Sequence, residues 1–361
     1  MGGTRRIFLR AALTGVLAVA CWGCALLTAS GLEREYGGVS VRLAEPSVTR
    51  QALDRAAEQK GGQDVVCAAA WTRGSATQTA SSALGGSTKL RVVAVYGDIR
   101  RAIPVAELTG SFPTDDDTNG CLIDAKSAWE LFHAKDAVGA ELTLGDKRYV
   151  VRGIVKTFEQ TLVVRSEDAN YENLEFTAPD PATAKQAAET ALYRLGASGN
   201  PIILQNSQTA RVALGLTWLP LWVGCALAAA AFLRRAWRER RNLRAGLSFA
   251  CAGAALLAVC VAGLLKTAYW PQSFLPTKWS DFSFWGEWID GCKEQWRAVS
   301  LATPLPKDIL LRTALRRCAL FLLLSLPLAG WSASEFRRWN DRRAPDGTAG
   351  AKKAPVTEYR A

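Results

Sequence analysis

AGLSFACAGAALLAVCVAGLL, residues Ala245 to Leu265, runs for 21 positions without a charge. A helix rises about 1.5 Å per residue, so about 20 apolar residues cross a hydrocarbon core of about 30 Å with every backbone amide bonded internally. Ala11–Leu32 and Val212–Leu233 have the same character, with 22 residues each, and Cys318–Ser334 has 17. The shorter fourth run is helped by its flanks, because Arg316 and Arg317 can snorkel at one end while Trp331 and Trp339 lie near the other interface. Four such runs predict a membrane α-helical chain with four transmembrane helices. The long segment between the first two becomes one large water-exposed domain.

Charge predicts which way the helices run. Arg5, Arg6 and Arg10 precede the first run. Arg234, Arg235, Arg238, Arg240, Arg241 and Arg244 cluster between the second and third, and Arg337, Arg338, Arg342, Arg343, Lys352, Lys353 and Arg360 follow the fourth. Lys and Arg concentrate in cytoplasmic segments, so both termini are expected on the cytoplasmic side of the membrane. These three segments hold 16 basic residues against five acidic ones, which equals the net +11 of the whole chain. The high pI therefore reports topology and attraction to anionic headgroups, and nucleic-acid binding loses its main support.

The expected divisions are a cytoplasmic start at 1–10, spans at 11–32, 212–233, 245–265 and 318–334, and an extracytoplasmic domain at 33–211. A cytoplasmic turn occupies 234–244, an extracytoplasmic loop 266–317 and a basic tail 335–361. The outward domain reads as α+β. Val39–Leu43 is a strand candidate, Ser47 caps a helix that ends at Gly61-Gly62, and Asp64–Trp71 and Lys89–Tyr96 are strand-like apolar runs. Farther on, Pro181 and Thr183 open a helix that stops at Gly196, and Pro201–Leu204 makes a last strand. These parts suit two split βαβ halves. Between them, at about 111–180, a small β-rich insert is predicted: Cys121–Asp124 as a strand, Ala125–Phe132 as a helix, Glu141–Leu144, a Gly145-Asp146 hairpin turn, and Tyr149–Val155 returning.

Six of the nine cysteines lie in the apolar runs, where a thiol behaves as a small apolar residue. Cys67, Cys121 and Cys292 would face outward, and the sequence leaves a Cys67–Cys121 disulfide open. The start Thr4-Arg5-Arg6-Ile7-Phe8-Leu9-Arg10 looks like a twin-arginine export motif, and Leu17–Cys21 loosely matches a lipoprotein box. The uncharged run that follows is longer than a signal h-region of about 7–15 residues, so a retained anchor is expected.

No catalytic equipment is visible. The one histidine, His133, ends a predicted helix. Asp115–Gly120 imitates the opening of a calcium loop, but Lys126 stands where the twelfth-position glutamate is needed. Neither GxxxxGK[ST] nor GxGxxG occurs. The chain is expected to be no enzyme and to take no cofactor and no metal, and any ATP that drives it would be bound by another polypeptide. Small residues at Gly246, Ala250, Gly253 and Ala254 suit close helix packing, and Pro220 and Pro327 suit kinks. No charge inside the runs marks an ion or proton path.

The insert resembles the periplasmic core domain of MacB-like, or FtsX-like, permeases of ABC transporters. The resemblance runs through Leu122-Ile123-Asp124, Ala125, Ala128, Leu131-Phe132, Val138-Gly139, Leu142, Leu144-Gly145 and Tyr149-Val150-Val151-Arg152-Gly153-Ile154-Val155. One span, a large outward domain and three more spans is also that family's order. The resemblance implies an ABC ATPase subunit as partner, docked on a coupling helix made of Arg234, Arg235, Trp237, Arg238, Arg240 and Arg241, although positive-inside charge explains the arginines equally well. Four spans enclose no pore alone, so a second permease subunit, a homodimer partner or a homologue, is expected beside membrane lipids.

The loop at 266–317 departs from that family's short connection. It holds nine aromatics between Tyr269 and Trp296, five of them Trp270, Trp279, Trp285, Trp288 and Trp296, a composition suited to an interfacial belt or a lid. The expected function is a permease subunit of the mechanotransmission type. In it, ATP hydrolysis elsewhere moves the outward domain for export or an envelope process. The alternatives are a membrane-anchored extracytoplasmic binding or scaffold protein without transport, and an exported enzyme processed near Cys21 or Ser30.

Overall fold

The computed structural model describes residues 2–58, 66–103, 108–156, 159–166, 168–177, 180, 182–197, 199–269, 283–301 and 305–343. The elements run α1 (Gly2–Tyr36), β1 (Val39–Arg42), β2 (Val48–Thr49), α2 (Arg50–Glu58), β3 (Val66–Ser82), β4 (Ser87–Gly97), α3 (Ile99–Ala102), β5 (Leu108–Gly110), β6 (Gly120–Asp124), α4 (Ala125–Phe132), β7 (Glu141–Leu144), β8 (Lys147–Val155), β9 (Thr161–Val164), β10 (Asn170–Tyr171), β11 (Asn173–Thr177), α5 (Ala184–Arg194), β12 (Ile202–Gln205), α6 (Asn206–Arg238), α7 (Leu243–Thr267), α8 (Ser283–Leu301) and α9 (Pro306–Arg343). Two compact units result: a helical one of Met1–Ala29, Leu216–Leu265 and Leu315–Ala361, and a mixed one of Ser30–Gly215 and Lys266–Ala314.

In the helical unit, α1, α6 and α7 are, among the described residues, the helices long and apolar enough to cross a membrane. The fourth apolar run lies inside α9, which continues through Pro327 as α6 does through Pro220. α1 and α9 are antiparallel: the Phe8 ring lies 5.2 Å from Trp339, Ser332 Oγ donates to Ala11 O at 2.8 Å, and Cys318 Sγ donates to Ala25 O at 3.6 Å. Trp22 Nε1 donates to Thr217 O at 2.8 Å and joins α1 to α6.

α6 and α7 pack through small residues, because only a missing side chain lets two helix backbones or a backbone and a ring approach closely. A Cβ on Gly253 would lie 2.9 Å from Leu233 Cγ, and one on Gly263 2.1 Å from the Trp222 ring. Gly246 and Gly253 are buried with Cys260, whereas Ala250 is half-buried and Ala254 exposed. The buried stripe therefore keeps Gly246 and Gly253 of the set read from the sequence and adds Cys260 in place of Ala250 and Ala254.

The mixed unit contains two split βαβ halves. Strand order β12-β1-β11-β3 places the strands of each half on either side of a strand from the other, all antiparallel. α2 and α5 bury Leu53, Ala184, Ala188 and Leu192 against Val39, Val41, Leu174 and Phe176 of this sheet. The sheet then continues through β4, β9, β6, β8 and β5, with β7 bridging β3 and β8. α4 covers this second half, burying Ala128, Leu131 and Phe132 among Leu90, Ile123, Leu142, Tyr149, Val151 and Leu162. The β-rich region thus begins earlier than 111, because β3 and β4 extend into it, and it ends before β11, which belongs to the βαβ halves.

Several local expectations shift. Thr49 caps α2, its Oγ1 accepting from Ala52 N at 3.2 Å, while Ser47 does not. β3 runs to Ser82, eleven residues past Trp71, because its Thr- and Ser-rich end finds partners in β4 and β7. Gly145, at φ +59°, opens the two-residue turn between β7 and β8, where a positive φ favours glycine. The Gly61-Gly62 stop, Asp64, Pro181, Trp270, Trp279, Lys352, Lys353 and Arg360 lie outside the described residues.

Cys67 and Cys121 are both free. Three strand intervals separate β3 from β6, about 14 Å at the usual spacing, whereas a disulfide needs Cα atoms within about 7 Å. Each thiol belongs to a separate core, and burial pushes each up to about 12.

Asp124 joins strand to helix in the second half. Its Oδ1 accepts from Lys126 N and Ser127 N at 3.0 and 3.1 Å, and its Oδ2 accepts from Thr161 N of β9 at 3.0 Å. Asp124→Ala removes a cap and orphans a buried strand amide. It should destabilise the mixed unit by about 2–3 kcal/mol, read from its denaturation midpoint, whereas exposed Lys126→Ala should change it by under about 0.5 kcal/mol.

Candidate functional site

The face of the βαβ sheet opposite α2 and α5 carries charge where alternation would favour apolar residues. Strand periodicity puts Val39 and Val41 on one face of β1 and Ser40 and Arg42 on the other. Ser40 pairs across the sheet with Glu175. Ser40, Arg42 and Glu175 are all buried, with Glu175 only 3% exposed. Lys307, from the first turn of α9, is 5% exposed and joins them.

Glu175 is the hub. Its Oε2 accepts from Lys307 Nζ at 2.7 Å and from Ser40 Oγ at 2.5 Å, and its Oε1 accepts from Arg42 Nη1 at 2.9 Å. Arg42 Nη2 lies 3.5 Å from Asp308 Oδ1, and the guanidinium sits 5.7 Å from the Trp71 ring. Burial opposes ionisation of Glu175 most strongly. Lys307, Arg42 and the donated hydrogen bonds outweigh it and hold the carboxyl below the ordinary carboxylate range.

The network reaches α6 as well. Asn206 Nδ2 donates to Ser40 Oγ at 2.9 Å, and Gly38 N, in the link from α1 to β1, donates to Ser207 Oγ at 2.6 Å. Nearby, Arg211 Nε of α6 donates to Glu33 Oε1 of α1 at 2.8 Å, and its guanidinium sits 5.7 Å from the Tyr269 ring. The C-terminal end of α1 and the N-terminal ends of α6 and α9 are therefore all fastened to β1 and β11 or to each other by polar contacts inside the mixed unit.

None of Ser40, Arg42, Glu175, Lys307 or Asp308 was legible as a site. Pairs such as Ser40 and Glu175 are 135 positions apart, and only strand pairing brings them together. The one local signal was a buried-strand run, Val39-Ser40-Val41-Arg42, with a cation on it.

No cluster of three or more His, Cys, Asp or Glu that could hold a metal ion occurs among the described residues. Asp115 and Asp117, from the calcium-like stretch, pair with Arg165 and Arg152 at 2.8 and 2.7 Å. His133 is the left-handed C-cap of α4, at φ 54°. An open cleft of about 550 Å³ is lined by Asp98, Arg100, Phe112, Asp115 and Arg165 among others. Both arginines are engaged there, Arg165 with Gly97 O and Asp115, and Arg100 over Phe112.

The motif residues form one local unit. Ala125, Ala128, Leu131 and Phe132 lie on α4, and Ala128, Leu131 and Phe132 share a core with Tyr149 and Val151 of β8. Gly139 N donates to Val151 O at 2.7 Å, and Gly153 of β8 pairs with Gly110 of β5. Val138 is exposed, and Gly145 forms the hairpin turn. The family model described as the MacB-like periplasmic core domain matches residues 26–192. This stretch is a MacB-like periplasmic core domain.

The chain is similar to the periplasmic region of MacB from Actinobacillus actinomycetemcomitans, with 12% identity over 49% of this chain and 93% of that one, at a TM-score of 0.40. It is also similar to the extracellular domain of the ABC-type transporter YknZ from Gram-positive bacteria, with 17% identity over 46% of this chain and 98% of that one, at a TM-score of 0.36. Comparison with curated proteins finds no match.

The MacB-like core domain includes β1 and β11, and with them the acidic hub. Lys307 and Asp308 come from beyond the matched stretch, so the junction joins the domain to a separate part of the chain. Elsewhere, the arginine cluster does not form a separate helix. Arg234, Arg235, Trp237 and Arg238 are the last turns of α6, and Arg240 and Arg241 lie in the tight turn before α7. Trp237 is 72% exposed, with Arg240 5.3 Å above its ring, and Leu243 is 80% exposed.

Glu175 has a pKa below its unfolded value, so its stabilising contribution is complete above the ordinary glutamate range and is lost as pH falls through and below it. Thermal melts of the protein should show an acid limb that Glu175→Gln flattens. At pH 7, Lys307→Met alone should cost about 3–5 kcal/mol, because it leaves a buried carboxylate short of a cation.

Proposed function

We propose that this chain is the permease subunit of an ABC system of the mechanotransmission type, held in the bacterial cell membrane by four spans with both termini cytoplasmic. The observation that carries the reading is the polar junction: β1 and β11 of a MacB-like core domain are fastened to the ends of α6 and α9, and α1 is tied to α6 through Glu33 and Arg211. The antiparallel register of α1 and α9 supports α9 as the fourth span and the two termini on one side. The arginines at the α6–α7 turn support a cytoplasmic place for it.

In this mechanism a separate ATPase subunit binds ATP and docks on the turn that presents Trp237, Arg240, Arg241 and Leu243. Closure of the ATPase displaces the helices as rigid rods, and the junction passes that displacement to β1 and β11, so that the core domain changes shape outside the membrane. A second permease subunit completes the assembly. Because the junction is buried and ionically closed, a tilt of α9 moves Glu175 and Arg42 with it instead of sliding past them.

Co-expression with ABC ATPase subunits of the same cell, followed by purification of intact complexes, tests the reading. An ATPase should co-purify, and Arg240→Glu with Arg241→Glu should lower its retention by about tenfold or more, as for loss of a charged docking patch. Intact complexes that repeatedly lack any ATPase would instead favour a membrane-anchored scaffold.

A further inference from the structure

α8 carries a face that the transport reading leaves unused. Its residues advance about 100° each, so Trp285, Trp288, Ile289, Cys292 and Trp296 fall within one arc of about 100°. Glu287, Asp290 and Glu294 point the opposite way with Arg297 close to them, and Lys293, on one flank, pairs with Asp290 at 2.9 Å. The apolar face is open: Trp285 and Ile289 are 46% and 45% exposed, Trp296 is 75% exposed, and Cys292 is exposed. Trp288 leans edge-on against Trp285 at 6.3 Å.

Five charges in 19 residues rule out a span, and the exposed tryptophans rule out an ordinary solvated helix. The chain's own connections indicate what covers the face. Fifteen residues, 268–282, tether α8 to the apolar end of α7, and sixteen, 302–317, tether it to the apolar run of α9. α8 also packs against β12, which leads directly into α6, and Val212 starts the apolar run of α6 only about 9 Å along that helix from Asn206. Indole rings favour the headgroup level, and a helix with an aromatic apolar stripe on one side and charges on the other lies in the interface plane.

We propose that α8 is an in-plane membrane helix whose Trp285–Trp296 face is seated at the headgroup–acyl boundary of the outer leaflet. It braces the base of the core domain on lipid beside β12, and it gives this chain a lipid-binding surface outside its spans. The inference rests on the reading of α7 and α9 as spans.

A nitroxide on Cys292, with the other cysteines replaced, tests it in nanodiscs containing phosphatidylglycerol. Labels at Asp290→Cys on the polar face and Leu257→Cys within α7 provide references. The Cys292 label should be several-fold more accessible to oxygen than to an aqueous nickel chelate, and the Asp290 label should show the reverse. An aqueous Cys292 label beside a lipid-embedded Leu257 label overturns the α8 proposal and leaves the permease reading standing. An aqueous Leu257 label overturns both. A Cys292 label shielded from both reagents shows a protein partner on the face and also overturns the proposal.

The unmodified cysteine background supplies a second measurement. Lipids brominated near the acyl boundary should quench the native protein more than the variant carrying Trp285→Phe, Trp288→Phe and Trp296→Phe. Equal fractional quenching in the two proteins counts against the proposal.

Discussion

A carboxylate with almost no solvent contact has to be matched by cations or give up its charge, and Glu175 is matched twice. Arg42 stands beside it in the sheet, but Lys307 comes from another helix. The ionised state of Glu175 therefore depends on α9 being seated, and the seat of α9 depends on the pairing of β1 with β11. Asn206 and Ser207 extend the same dependence to α6. Replacing such a cluster wholesale with apolar residues is often neutral for stability, whereas breaking one partner is not. We read the ionic solution here as fixing register between helix ends and sheet.

The two halves of the sheet divide the labour. The split βαβ half presents one face to α2 and α5 and keeps the other for the junction, so its strands alternate apolar and polar residues that are both buried. The half built on β6, α4, β7 and β8 is a conventional apolar core held at its edges by local turns and by Asp124. The matched family model spans both halves. The junction that ties the domain to α9 is drawn from residues on both sides of the boundary of the matched region.

A base fastened to helix ends by polar contacts and an amphipathic helix beside β12 suggest complementary tasks. In the proposals above, the first would carry displacement along the chain, and the second would resist tilt of the domain against the lipid. The arginine-rich turn between α6 and α7 differs from a docking helix in form but presents Trp237 and Leu243 outward.

What the chain declares by local means proved legible. Three of the uncharged runs lie in helices long and apolar enough to cross a membrane, and α4, β7 and the Gly145 turn were readable to the residue because capping, alternation and positive φ act over a few positions. The polar end of β3, the place of Cys260 in the packing stripe of α7 and the separation of Cys67 from Cys121 were not readable, since each depends on a neighbour supplied from elsewhere. The junction is the clearest case: Arg42, Glu175 and Lys307 are ordinary surface residues by sequence, scattered over more than two-thirds of the chain. Only the tertiary structure could make them a site, because Coulomb attraction and desolvation act through space, and strand pairing and the seating of α9 decide which charges share it.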